Sequence, residues 1–271
     1  MGYKRKIVDK LLRNMIGKVN FQDFWRRLFE LSMRGMNIGE GGECSNSGEL
    51  YALKYVLQNI IPESGGVVFD VGANVGVYAL DLYENSKDMN IENIQIHCFE
   101  PAKATFQRLS DNCSAIYGIK LNNMGISDSK VESTLYYDEE TSGMASLFDR
   151  QLEYYGVELY KKEQVTLDTI DNYCEEQKID HISFLKMDIE GNELNALKGA
   201  ESMIRGGKID AIQFEFGGCN IDSRVFFRDF WNLLHNEFKI HRVTKDGLWE
   251  IKQYNEWLEI FSCTNYLCIK V

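Results

Sequence analysis

The sequence predicts an α/β protein built on a mostly parallel seven-stranded sheet with helices on both faces and a helical appendage at its N terminus. Two observations carry that prediction. From Gly66 onward, short apolar runs of strand length alternate with longer stretches of helical periodicity, the pattern of a parallel sheet covered on both sides. Only two prolines occur in 271 residues, so few elements are interrupted.

The strands are expected at Val67 to Val71, Ile94 to Phe99, Lys120 to Ile126, Ile182 to Met187 and Ala211 to Phe216, with closing strands near 239 to 244 and 264 to 270. Helices fill the gaps at about 75 to 85, 102 to 113, 168 to 178, 192 to 205 and 223 to 236. A further helix, Glu49 to Ile60, leads into this core and stops before Pro62. Residues 131 to 165 break the rhythm, being polar and rich in tyrosine (Tyr136, Tyr137, Tyr154, Tyr155, Tyr160). An insertion there would lie over the carboxyl edge of the sheet, where open α/β folds bind ligands.

Residues 1 to 47 are a different kind of sequence. Lys4, Arg5, Lys6, Lys10, Arg13 and Lys18 are set among Ile7, Leu11, Met15, Phe21, Phe24, Trp25 and Leu28 at helical spacing, which reads as two amphipathic helices. A glycine-rich loop from Gly35 to Gly48 follows. Such an appendage is expected to pack as a cap on the domain or to form a homodimer contact, although a basic amphipathic helix also suits a membrane surface. A domain boundary is accordingly set between residues 47 and 48.

Composition narrows the partners. The formal net charge of −11 opposes nucleic acid, whose binding draws on displaced counterions. The seven cysteines are scattered without a C-x-x-C pair, as in a reduced cytoplasmic protein. No apolar run reaches the length a membrane span requires.

The sharpest motif is Val68-Phe69-Asp70-Val71-Gly72-Ala73-Asn74-Val75-Gly76, a buried strand ending in an acid, a glycine turn and a helix start. A dinucleotide site would carry G-x-G-x-x-G to seat a pyrophosphate. Here the turn has Asp70 at its mouth, and a carboxylate suits a ligand bearing an amine and a sulfonium better than one bearing two phosphates. Thirty residues on, Phe99-Glu100-Pro101 ends the second strand in an acid placed to accept ribose hydroxyls; read alone, it is a solvated strand end. A third cluster, Lys186-Met187-Asp188-Ile189-Glu190-Gly191-Asn192-Glu193, repeats strand, acid and turn. In the fourth, Ile212-Gln213-Phe214-Glu215-Phe216, alternation points Gln213 and Glu215 away from the apolar face. Neighbouring strands would set Asp188 beside Glu215, inviting a divalent cation or a raised pKa. Alternatively, one acid caps the helix at 192 and the other pairs with Lys186 or Arg224. His97 and His181 are expected to be structural, and His235 and His241 are weak site candidates.

Taken together, VFDVGANVGVYAL (68 to 80), FEP (99 to 101), NNMGISD (122 to 128), GMASL (143 to 147), LDTID (167 to 171), LKMDIEGNELNALKGAE (185 to 201), QFEF (213 to 216) and NYLCIKV (265 to 271) resemble the FkbM-type methyltransferases over residues 48 to 271. The resemblance implies a Rossmann-like class I fold that uses S-adenosylmethionine, and O-methylation of a sugar or a secondary-metabolite hydroxyl. By motif, Asp70, Gly72, Asn74 and Gly76 would hold the methionine part, Glu100 the ribose, and Ile126 with Ser127 the adenine rim. The segment about Met144, Ala145 and Ser146 would form a lid, with Asp188, Glu190 and Glu215 facing the acceptor. Asp188 is the first choice of base or metal ligand and Glu215 the second, the metal being magnesium or manganese. Nucleotide-linked sugars of surface polysaccharides are the leading acceptor. A nicotinamide oxidoreductase and a donor-binding scaffold without catalysis are the rivals.

Overall fold

A computed structural model describes residues 12–40 and 47–271. The elements in chain order are α1 (Gln22–Gly35), α2 (Glu49–Asn59), β1 (Val67–Val71), α3 (Val77–Asp88), β2 (Gln95–Phe99), α4 (Lys103–Cys113), β3 (Ile119–Asn122), β4 (Gly125–Ile126), β5 (Val131–Tyr137) and β6 (Lys161–Asp168). They continue with α5 (Ile170–Gln177), β7 (Ile182–Met187), α6 (Glu193–Lys198), α7 (Glu201–Arg205), β8 (Ile209–Phe216), α8 (Cys219–Ser223), α9 (Phe227–Leu234), β9 (Phe238–Thr244), β10 (Gly247–Glu250) and β11 (Thr264–Lys270).

The main sheet has eight strands in the order β10-β9-β11-β8-β7-β1-β2-β3. The pairs from β8 through β3 are parallel, and β11 runs antiparallel between β8 and β9. The expected seven strands became eight because the turn after Thr244 folds Gly247–Glu250 back as a hairpin on β9. The strand expected from Lys120 to Ile126 divides: its first half closes the main sheet as β3, and β4 leaves it to pair with β6.

Strands buried on both faces explain the continuous apolar runs. Along β1, Val68 packs with Leu53, Ala79 and Leu109 on one side of the sheet, and Phe69 joins Tyr173, Leu185 and Leu197 on the other. The second layer is anchored by Phe214, whose ring stacks on Phe230 at 4.4 Å and an interplanar angle of 4°. Gln213 alternates with it but does not reach solvent. With β7 and β11 on either side, it is 1% exposed, so the outward placement expected from alternation is corrected by the strand's central position.

Residues 131 to 165 do not form a structureless insertion. β5 and β6 pair antiparallel and, with β4, make a separate three-stranded sheet, whose inward residues Leu135, Val165 and Leu167 pack on Ala102. Threonine, valine and tyrosine dominate β5, and such residues fit a half-buried pleated surface.

The first amphipathic helix expected near the N terminus lies largely outside the described residues. The second is α1, and it is not a packed cap, because none of its residues is buried. The chain docks only beyond it, where Asn37 and Ile38 are buried. The Asn37 amide nitrogen donates to the carbonyls of Ser47 and Val243, and the Gly39 N–H donates to the carbonyl of Cys263 at 2.9 Å. No described helix is long and apolar enough to cross a membrane.

Phe214→Ala removes a fully buried ring from the stack and should lower unfolding free energy by about 3–5 kcal/mol, read as a fall in the denaturant midpoint at unchanged slope.

Candidate active site

Parallel pairing in register brings the carboxyl ends of β1, β2 and β7 to one edge. Asp70 is opposite both Cys98 and Lys186, and the chain leaves the three strands through Gly72, Glu100 and Asp188. A cleft with about 630 Å3 of empty space, counted out to its open mouth, lies against these turns.

The glycine turn shapes its floor. Gly72 has φ +82°, and a Cβ there would stand 1.9 Å from the Asp188 carbonyl oxygen, so neither backbone conformation nor space admits a side chain. Gly76, φ +92°, sits at the entry to α3, where a Cβ would meet the Cys113 sulfur at 2.6 Å. Its smallness lets α3 approach α4 closely, and it stands apart from the cleft wall formed by Gly72 and Asn74.

One end of the cleft is apolar, lined by Phe99, Pro101, Ile126, Leu135, Leu147 and Leu167. The other is polar, with Asn74, Glu100, Asp188, Glu190 and Asn192. Of the expected donor residues, Gly72, Asn74, Glu100 and Ile126 form wall. Asp70, Gly76, Ser127 and Ser146 stand behind it. Ser127 is buried, its N–H given to the Asp168 carbonyl at 2.8 Å. The wall residues of the GMASL segment are Gly143, Ala145 and Leu147. Ser146 faces the other way, its hydroxyl donating to the Glu190 carbonyl at 2.7 Å, so it ties the lid to the acidic turn. None of the tyrosines of the 131 to 165 segment is in this wall, and Tyr154 and Tyr155 are exposed.

Glu100 accepts the Asn74 N–H at 3.1 Å on one oxygen and the Ala102 N–H at 2.9 Å on the other. Each oxygen keeps a second lone pair for a ligand hydroxyl. Burial pushes its pKa up to about 7, against the pull of those two amides.

Beneath the floor is a charge relay of fixed groups. The Lys186 ammonium stands 3.5 Å from Asp70 and 3.7 Å from Asp188, 5.0 Å from the Tyr78 ring centroid. Burial works against its charge, but Asp70 and Asp188 together hold its pKa above the ordinary lysine value. Asp70 is wholly buried, while the Asp188 side chain is 40% exposed at the cleft.

The remaining acids differ in state. Glu190 has φ +52° and forms a close ion pair with Arg150, whose Nε lies 3.6 Å from Asp222. Burial first, then Asp188, pushes Glu190 up to about 7, with Arg150 pulling back. Glu193 accepts the N–H groups of Ile189 at 2.9 Å and Gly191 at 3.0 Å, and burial lifts it to about 8. Glu215 follows Phe214, the partner of Met187, and so comes alongside Asp188. Burial, with Asp188 and Glu190 nearby, raises its pKa well above normal. Its neutral form is thus favoured by its surroundings, whereas the Asp188 side chain is 40% exposed and faces Lys186.

Asp188 and Glu215 lie side by side, as the pairing of β7 with β8 requires. Among the described residues no group of three or more ligating side chains converges, and the cation beside Asp188 is Lys186, so the two acids fall short of the several oxygen ligands that magnesium or manganese takes. The alternative pairing with Lys186 holds for Asp188, and the turn at 189 to 191 is capped by Glu193.

The histidines stand apart from the cleft. His97 is 2.8 Å from the Tyr173 hydroxyl and is lowered to about 4 by burial, and His181 contacts Asp210 at 2.6 Å. His235 and His241 contact the backbone carbonyls of Trp231 and Leu267. Arg150 is the site residue that the sequence reading missed. It lies 40 residues from Glu190 in no motif, and nothing local marks it. Lys186 did carry a signal, a lone charge in the buried run Ile182–Met187.

Lys186→Met should destabilise the fold by about 3–5 kcal/mol, because Asp70 is left as an uncompensated buried charge. Adding Asp70→Asn should restore part of that loss in thermal melts, and no recovery would separate the two residues energetically.

The geometry now meets its relatives. Residues 70–241, well over half of the chain, match the Methyltransferase FkbM domain. A methyltransferase of Sordaria araneosa, sdnD, is 27% identical over 164 residues, which is 51% of this chain and 61% of that protein. The chain thus spans less than two thirds of that relative's length. Among solved structures, a methyltransferase FkbM from Methylobacillus flagellatus superposes with TM-score 0.44 at 18% identity, covering 76% of this chain and 44% of the other. Fibrillarin from Aeropyrum pernix, with natively bound S-adenosyl-L-methionine, does so with TM-score 0.44 at 12% identity, covering 83% and 76%. On the match that runs from Asp70 through the acidic turn to β9, the chain belongs to the FkbM methyltransferase family.

Proposed function

We propose that this chain transfers a methyl group from S-adenosylmethionine to a hydroxyl oxygen of a sugar, nucleotide-linked or part of a surface polysaccharide. The observation that carries the reading is a cleft with an apolar slot at one end, Glu100 between, and the exposed Asp188 carboxylate at the polar end. A nucleoside with a cationic tail has that sequence of surfaces. Its base suits the slot of Phe99, Ile126 and Leu167. Its ribose hydroxyls suit the free lone pairs of Glu100, and its amine and sulfonium suit the acidic end.

When bound, the donor supplies an electrophilic methyl group on a positively charged sulfur. The protein's task is then to hold an acceptor oxygen in line with the carbon–sulfur bond and to take the proton as the oxygen–carbon bond forms. Asp188 is the group placed to receive that proton, being exposed to the cleft and oriented by Lys186. Glu190 is locked by Arg150, so its carboxylate is a fixed wall that accepts hydrogen bonds. Glu215, whose pKa is raised by burial and by Asp188 and Glu190, stands behind Asp188. Several acceptors of hydrogen bonds crowded at one mouth suit a polyhydroxylated molecule, which is the ground for choosing a sugar. The acidic chain disfavours a polyanionic acceptor.

Two measurements test this. Glu100 must be ionised to accept two hydroxyl hydrogens, and its pKa is raised to about 7. Donor affinity should therefore rise as pH passes upward through that value, weakening about tenfold or more from pH 8 to pH 5.5. Calorimetry on Glu100→Gln should show weak binding with no such slope, and a slope that persists would remove the ribose assignment. Asp188→Asn should keep donor affinity within about threefold yet lose at least about a hundredfold in kcat on a panel of nucleotide sugars. Retained turnover would place the base elsewhere.

A further inference from the structure

The charge of the chain is unevenly spread. Residues 1–35 hold nine lysines and arginines against three acids, a net of +6, while residues 36–271 hold 21 against 38, a net of −17. The described part of the positive segment ends in α1, whose apolar residues are not covered by the rest of the protein. Phe24 is 44% exposed, Leu28 39%, Phe29 54% and Leu31 63%. Phe24, Trp25, Leu28 and Phe29 share one side of the helix, and Arg26, Arg27 and Arg34 fall on the opposite side. Aqueous exposure of that many large apolar groups on one short helix is costly unless something takes them up.

A second exposed apolar region joins the end of this helix. Gly35 and Met36 share a shallow cleft with Trp249 of β10 and with Trp257, and the two tryptophans are 64% and 85% exposed. Tryptophan favours the boundary between hydrocarbon and water, where its ring is buried and its N–H stays wet.

We propose that α1, with the exposed Arg13 and Lys18 before it and the tryptophans beside it, forms a peripheral docking surface for an anionic lipid membrane. A lipid surface takes the two properties together: the apolar face enters the acyl boundary while the cations meet phosphate. No shaped pocket is required. The strongly acidic remainder is repelled by the same surface, so the domain stands away from it with only this edge in contact. The asymmetry thus supplies orientation as well as attraction.

The test uses the full chain with phosphatidylcholine vesicles, with and without phosphatidylglycerol, in a flotation assay. Binding is expected to the anionic vesicles alone and to fall steeply with added salt. Phe24→Ser with Phe29→Ser, and separately Lys18→Glu with Arg27→Glu, should each lower partitioning at least about tenfold. These positions are exposed, so the thermal melt should not move. Trp257→Ala should lower partitioning about threefold. Absence of binding, or equal binding to both vesicle types, overturns the proposal. So does a concentration-dependent dimer in sedimentation that the α1 variants dissociate while the vesicles stay bare, which would assign this face to a second copy.

Discussion

A lysine ammonium held at the centre of the sheet is the constraint on which the rest of the site depends. Lys186 occupies a β7 position where its neighbours on both sides are apolar and buried. A charge there is tolerated only with partners, and the register of β1 against β7 supplies Asp70 directly opposite. Asp70 in turn is the last charged position before the Gly72 turn, so the ion pair fixes where β1 ends and where the turn begins. The second partner, Asp188, is the first residue past the end of β7. One cation thereby locates the two loops that meet at the cleft and orients the exposed carboxylate between them.

Around that pair, electrostatics sort four neighbouring acids into different states. Asp188 is exposed and faces a cation. Glu190 has a cation but little water, Glu193 has backbone amides, and Glu215 is half-buried beside Asp188 and Glu190. Four like charges in that volume would repel strongly, and burial relieves the conflict by favouring the neutral forms of Glu190, Glu193 and Glu215. The consequence is a different electrostatic setting for each of four carboxyl groups. The turn carrying Asp188 and Glu190 is held by Glu193 from within, by Asn192 bonding the Ile126 carbonyl, and by Ser146 and Arg150 from the 131 to 165 segment. The role of base proposed for Asp188 requires such fixing, since proton transfer depends on close positioning.

Legibility in the sequence followed the range of the interactions. The strand-acid-turn motifs at 70, 100 and 188 were readable because each lies within a dozen residues and its periodicity is local. Asp188 and Glu215 were placed together because parallel strands of known order must be neighbours. What that reasoning could not carry was chemical state. Two carboxylates side by side read as a metal pair, and only the fold shows that one has Lys186 for a partner while burial favours the neutral form of the other. Ser146 and Ser127 sat in the right segments but faced away from the cleft, since a motif fixes backbone position without fixing side-chain direction. Arg150 had no local mark at all.

The same distinction between local pattern and tertiary context explains the ends of the sheet. β10 was unreadable because four residues with two adjacent apolar side chains, Leu248 and Trp249, are too few for periodicity, and it exists because the tight turn before it places it beside β9. The 131 to 165 segment read as a polar insertion because a small second sheet buries only one face. Its inner face adds Leu135 and Leu167 to the apolar end of the cleft, and the connection between β5 and β6 carries Arg150 to Glu190. A bridge between Tyr136 and Ser146 ties that connection to β5, and the Ser146 hydroxyl ties it to the Glu190 carbonyl. The segment that broke the rhythm of the sequence is therefore the one that closes the site at both ends.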